Sequence, residues 1–271
     1  MRWCSGAKFG GKCAPRYAVV KSVLNNPSLY GTNISIIGDS AGGNFSAVIA
    51  KRLAKDRSSD KLAGRKQKTL PKIVGLIYPL LQVTTMSAPQ DHILAKSYVK
   101  LFPKLVLWYS GVGQITKDWT DLILELLKTE KNSSGEIAFN RDFGDPRNSH
   151  NVQSLSITSE RINLINFVTN TEVSPLLQSE DDYKMIAESG IKFHIQCAEH
   201  DQLSVETKLY AEKLKSFNED CVLAFKRYDG CMHGWYMMGS SRGGSLPRCR
   251  WTKEYDDLID GWLDEMDSLI G

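Results

Sequence analysis

The stretch "IIGDSAGGN", Ile36 to Asn44, sets a serine between glycines a short way into the chain. The residues leading into it, "ISIIG" (34–38), are apolar and β-branched, too continuous for a half-exposed strand. After Ser40, "AGGNFSAVIAKRLAKD" (41–56) carries Phe45, Val48, Ile49 and Leu53 at helical spacing. Ser40 therefore stands on a strand–turn–helix joint. Gly38-Asp39-Ser40-Ala41-Gly42 fits the G-x-S-x-G pattern of a nucleophile elbow, a tight joint that lifts a hydroxyl clear of a sheet. Small residues on either side let the turn close and let substrate approach.

Moving outward, "KIVGLIYPLL" (72–81) reads as a second buried strand that ends at Pro79. "KFHIQCAE" (192–199) and "VLAFKRYDG" (222–230) are two more, separated by the helix "VETKLYAEKLKSF" (205–217). Residues 16–26 are expected to form a short helix after an irregular N-terminus (1–15), and "NPSLYGTN" a loop. The tail "KEYDDLIDGWLDEMDSLI" (253–270) is amphipathic. Between about 90 and 171 the strand–helix alternation lapses, and Tyr98, Phe102, Trp108, Tyr109 and Trp119 cluster there. That stretch is too long for an ordinary connection and reads as a helical cap insertion. Strands alternating with helices on both sides of it predict an α/β fold with a mostly parallel sheet, in one domain spanning 1–271.

The totals exclude several classes. At 271 residues, with 42% hydrophobic and 24% charged content, the chain has the composition of a soluble globular protein. A net charge of +3 argues against a dedicated nucleic-acid binder. The locally basic run from Lys51 to Lys72 reads as a solvated helix face entering a polar loop. Its sharper reading is a surface attracted to anionic lipid or nucleic acid, a peripheral membrane contact in the first case, and no interleaved aromatics support it. Six cysteines without a C-x-x-C pair make a zinc cluster a poor reading and leave disulfides open. No run of 18 apolar residues is present, and the first residues lack the apolar core of a signal peptide.

Two serine chemistries write a similar sequence around the nucleophile. In chymotrypsin-type proteases the triad runs His, Asp, Ser along the chain, whereas here the first histidine, His92, follows Ser40. That class is excluded. The order Ser, then Asp or Glu, then His is met by Asp201 in "EHDQL" and His233 in "GCMHGW". Each follows a predicted strand, so both arrive at the carboxyl edge of the sheet, where catalytic groups gather. Blander readings exist for each: Asp201 as a helix N-cap (although Ser204 is better placed), His233 as a surface loop histidine, Ser40 as a turn residue. All three coinciding in the correct order and context favours a triad. His92, His150, His194 and His200 compete for the base less well, and His194, His200 and Asp201 lack a recognisable metal-ligand spacing.

With "GDSAGGN", "EHDQL…LYAEKL", "MHGW", "VSPLL" (173–177) and "LIYPLLQ" (76–82), the chain resembles the hormone-sensitive-lipase-like group of α/β-hydrolases. It looks most like the arylacetamide deacetylase and neutral cholesterol ester hydrolase branch. The resemblance implies Ser40 as nucleophile, His233 as base and then acid, and Asp201 as its orienter. The elbow residues Asp39, Ala41 and Gly42 flank the oxyanion and binding position, with the Ala41 N–H as one oxyanion donor. It further implies a small apolar ester or arylamide substrate, no cofactor or metal, and lodging on the luminal side of the endoplasmic reticulum, with cytoplasm as the alternative. The sequon Asn132-Ser133-Ser134 would suit the lumen.

One family element is missing. A His-Gly-Gly-Gly loop normally lies upstream of the serine and supplies further oxyanion donors. "FGGK" (9–12) lacks the histidine and lies too near Ser40. The expectation is therefore an N-terminally shortened member without its early strands, its "ISIIG" strand left as an open sheet edge. The rival reading is an impaired or inactive hydrolase-like binding protein.

Overall fold

The computed structural model describes residues 9–82 and 170–235. Helix α1 (Phe9–Leu24) and a single helical turn α2 (Pro27–Tyr30) lead into strand β1 (Ser35–Asp39). Helix α3 (Ala41–Leu62) and strand β2 (Ile73–Ile77) follow. Beyond residue 170 come α4 (Glu180–Ala187), β3 (Lys192–His200), α5 (Ser204–Phe217) and β4 (Val222–Met232). The cap insertion, the aromatics assigned to it and the amphipathic tail lie outside the described residues.

The four strands form one parallel sheet in the order β1-β2-β3-β4. Asp39 lies beside Ile77, and Ile77 beside Gln196, while β3 and β4 run on together until His200 meets Met232. Their carboxyl ends therefore share one edge of the sheet. Both faces are covered, which explains the unbroken apolar runs of β2 and β3. On one face Val74, Leu76, Phe193 and Ile195 pack with Val48, Ile49 and Leu53 of α3 and Tyr210 and Leu214 of α5. On the other, Ile73, Ile77, Tyr78, Ala198, Tyr228, Cys231 and Trp235 form a smaller cluster.

Three local expectations are corrected. The first helix begins at Phe9, so part of the N-terminus expected to be irregular is helical, and Pro15 lies inside the helix. "FGGK" is thus the first turn of α1 rather than a glycine loop. Pro27–Tyr30, read as loop, takes one helical turn with proline at its start, where the missing N–H costs nothing. Helix α3 continues past Asp56 to Leu62, held by charge where the apolar period stops. Asp56 accepts from Tyr17 Oη at 2.7 Å and Lys21 Nζ at 2.9 Å, tying α1 to α3, and the buried Asp60 pairs with Arg65 at 2.9 Å.

Four of the nine basic residues of that run, Lys51, Arg52, Arg65 and Lys68, are ion-paired within the chain. Lys51 pairs with Asp182 at 2.7 Å, Arg52 with Glu172 at 2.6 Å and Lys68 with Asp60 at 3.3 Å. Among the described residues β1 has one neighbour, and Ile37 is 55% exposed on it. No described helix is long and apolar enough to cross a membrane.

Candidate active site

The carboxyl edge of the sheet gathers the residues singled out above. Ser40 leaves β1 at φ 50°, a left-handed backbone that a non-glycine residue adopts only when its surroundings enforce it. Two bonds enforce it here: Ser40 N–H donates to Ile77 O at 2.9 Å, and Ser40 O accepts from Leu80 N–H at 3.0 Å. The reversed φ turns the hydroxyl away from the sheet and onto its edge. Ser40 Oγ lies 3.0 Å from His233 Nε2, and His233 Nδ1 lies 2.8 Å from Asp201 Oδ2.

Asp201 is fully buried. Its Oδ1 accepts from Leu203 N–H at 2.8 Å, leaving Oδ2 for the imidazole. A carboxylate can only accept, so it fixes the proton on Nδ1 and leaves Nε2 to accept from the Ser40 hydroxyl. Neither Asp201 nor Ser204 caps α5; Leu203 occupies that position without a side-chain cap.

Of the other elbow positions, Ala41 opens α3, so its N–H has no partner within the helix and lies next to Ser40. Asp39 ends β1 and pairs in register with Ile77. The glycines divide sharply by space. A Cβ on Gly38 would collide with the Gly42 backbone and meet Ser46 Oγ at 2.6 Å. One on Gly43 would meet Pro79 Cβ at 2.7 Å, whereas one on Gly42 meets only Asp39 Oδ1 at 3.6 Å. Gly38→Ala and Gly43→Ala are expected to lower stability by roughly 1–3 kcal/mol, with Gly42→Ala near wild type. Urea unfolding midpoints of the three variants check this.

Two residues without a sequence-level role brace the site. Buried Asn44 donates from Nδ2 to Leu80 O at 2.6 Å and Val173 O at 2.7 Å. Buried Glu206 accepts from Leu81 N–H at 2.6 Å and Gln82 N–H at 3.3 Å. Together they hold the segment after β2 against the elbow helix and α5. Their only sequence signal is a polar residue on an otherwise buried helix face.

The rival histidines sit elsewhere. His194 is buried within β3, and its Nδ1 lies 3.2 Å from Gln196 Nε2. Burial, with the Lys226 charge, pushes its pKa from 6.5 down to about 4. Between those values the unfolded chain binds a proton that the folded chain refuses, so stability falls as pH drops from 6.5 toward 4. At 1.36 kcal/mol per pH unit the loss is at most about 3 kcal/mol, and below pH 4 it grows no further. His194→Gln is expected to flatten that part of the curve, measured as urea midpoints at pH 7 and pH 4.5. His200 is solvent-facing, 3.7 Å from Glu199. Among the described residues no group of His, Cys, Asp and Glu is arranged to hold a metal ion.

Cys197, Cys221 and Cys231 are buried. Burial and the Asp201 charge push Cys197 up to about 12, so it offers no thiolate beside Asp201.

Residues 7–136 match a family model described as the alpha/beta hydrolase fold. The fold is that of an α/β-hydrolase. No curated protein matches the chain. Among solved structures, the hyperthermophilic esterase of the archaeon Pyrobaculum calidifontis superposes with a TM-score of 0.52 at 19% identity, over 99% of this chain and 64% of that one. The Francisella virulence factor BioJ does so at 0.52 and 16% identity, over 96% and 62%. Carboxyl esterase 2 of the fungus Tuber melanosporum gives 0.47 at 18%, over 84% and 55%. The chain thus spans 55% to 64% of the length of these three structures.

Proposed function

We propose that this chain is a carboxylesterase-type serine hydrolase acting on small apolar esters or arylamides. The observation that carries the reading is the continuous chain Ser40 Oγ–His233 Nε2 and His233 Nδ1–Asp201 Oδ2, at 3.0 and 2.8 Å, on a buried carboxylate. That relay is the arrangement acyl transfer requires. The esterase name of the Pyrobaculum calidifontis structure, which shares the fold, supports the ester class. The apolar acyl or aryl preference rests on the resemblance to the arylacetamide deacetylase branch, together with the aromatic content of residues 98–119.

In this reading Ser40 Oγ attacks the carbonyl carbon while its proton passes to His233 Nε2. The oxyanion forms against the Ala41 N–H at the start of α3. His233 then gives the proton to the departing alkoxide or amine, leaving an acyl-Ser40 ester. Water attacks that ester, its proton going to Nε2, and collapse releases the carboxylic acid and restores the Ser40 hydroxyl. Asp201 stays ionised throughout, holding the ring and balancing the imidazolium. No metal or organic cofactor enters any step.

The test is a fluorophosphonate probe on the full chain, with the adduct mapped by peptide mass spectrometry. A single adduct on the Ser40 peptide is expected. An unlabelled chain, or an adduct elsewhere, sinks the reading in favour of a binding protein on a hydrolase frame.

A further inference from the structure

Tyr78 is the first residue after β2, and its backbone is out of place. Its φ is 33°, in the left-handed region where a bulky side chain is an outlier. The following residue is Pro79, which by itself favours an extended predecessor. Such a conformation persists only when its surroundings over-determine it.

The consequence is a side chain on the wrong face of the sheet. Successive strand residues point to opposite faces. Along β2, Val74 and Leu76 pack on the helix-α3 side, and Ile73 and Ile77 on the other. A regular strand would send residue 78 to the α3 side. Tyr78 instead packs with Ile73, Ile77, Tyr228 and Trp235, on the same face as its neighbour Ile77. The reversal delivers its ring to His233. The two ring centroids are 4.8 Å apart with planes at 60°, an edge-type aromatic contact.

The backbone around Tyr78 is pinned on both sides. Its N–H donates to Gln196 O at 2.8 Å. Pro79 fills the space that only a glycine at position 43 leaves open, and Leu80 N–H reaches Ser40 O. The same short segment therefore touches the nucleophile's backbone and the base's ring. Asp201 meets His233 at Nδ1 and Ser40 Oγ meets it at Nε2, two contacts in the ring plane that leave the faces of the ring to be confined by packing.

We propose that Tyr78 is a positioning residue for the triad base: its ring is the wall that stops His233 from swinging and keeps Nε2 aimed at Ser40. The inference rests on the serine-hydrolase reading of Ser40. Ring contact of this kind is modest in energy, but the attack geometry it maintains is not forgiving. Tyr78→Phe, which keeps the ring, is expected to turn over an activated short-chain ester within about twofold of wild type. Tyr78→Leu is expected to lower kcat about tenfold with KM unchanged, since only the reacting alignment is lost.

A spectroscopic signature accompanies the rates. Wild type and Tyr78→Phe should show the downfield proton resonance of His233 Nδ1–H, with a cross-peak between the two rings. Tyr78→Leu should broaden the resonance through ring motion. Equal kcat in Tyr78→Leu and wild type, or an equal loss in Tyr78→Phe, overturns the proposal. If Tyr78→Leu does not fold, absence of the ring-to-ring cross-peak in the wild-type chain overturns it instead. A wild-type chain that neither hydrolyses the ester nor takes up the fluorophosphonate fails the serine-hydrolase reading, while the cross-peak still decides the contact.

Discussion

Replacing Ser40 by alanine is expected to reduce ester turnover by about 10⁴-fold or more and to abolish fluorophosphonate labelling. The reasoning starts from the bond inventory. Ser40 contributes a hydroxyl to His233 Nε2, while its backbone N–H and C=O are held by Ile77 and Leu80. Alanine keeps both backbone bonds and removes only the oxygen, so the elbow stays closed. Initial rates on a p-nitrophenyl ester, with far-ultraviolet circular dichroism to show an unchanged fold, make the measurement. Turnover within tenfold of wild type would mean that another group performs the attack.

The second large effect is expected from Asp201→Asn, with kcat falling by roughly 10⁴-fold and the fold retained. The two carboxylate oxygens have separate duties, one accepting from Leu203 N–H and the other from His233 Nδ1. The asparagine oxygen can keep the Leu203 bond, which turns the NH₂ group toward the ring. Nδ1 must then accept, the proton moves to Nε2, and the nitrogen facing Ser40 becomes a donor that cannot take a proton. Asp201→Ala is a poorer test, because it leaves the Leu203 N–H unsatisfied in a buried site. Rates of Asp201→Asn alongside its thermal unfolding separate chemistry from stability.

The elbow, the four described strands and the Ser–Asp–His order were legible in the sequence because each is written locally. A β-branched run, a G-x-S-x-G joint and an acid or base just past a strand need no knowledge of distant residues. The steric logic of the elbow was only half legible. Gly38 is demanded by the Gly42 backbone, which the motif implies, but the second indispensable glycine is Gly43, demanded by Pro79. That demand comes from the neighbouring strand's end and is invisible in the motif. Tyr78, Asn44 and Glu206 escaped for the same reason, since their partners lie across the sheet or on another helix. The end of α3 escaped because ion pairs with α1 and the following loop extend it beyond its apolar period.

The parallel order of the sheet has one further consequence, for how activity is acquired during folding. Each described ladder is parallel, so no two of these strands can pair through a tight hairpin; every pairing closes a long loop first. Ser40 and His233 are 193 residues apart along the chain and meet only when β4 has docked on β3 and β2 on β1. Ser40 is therefore made early during synthesis and His233 late. In the serine-hydrolase reading proposed above, a nascent chain carrying the elbow alone holds an inert alcohol, and reactivity toward esters would arise only with the completed sheet.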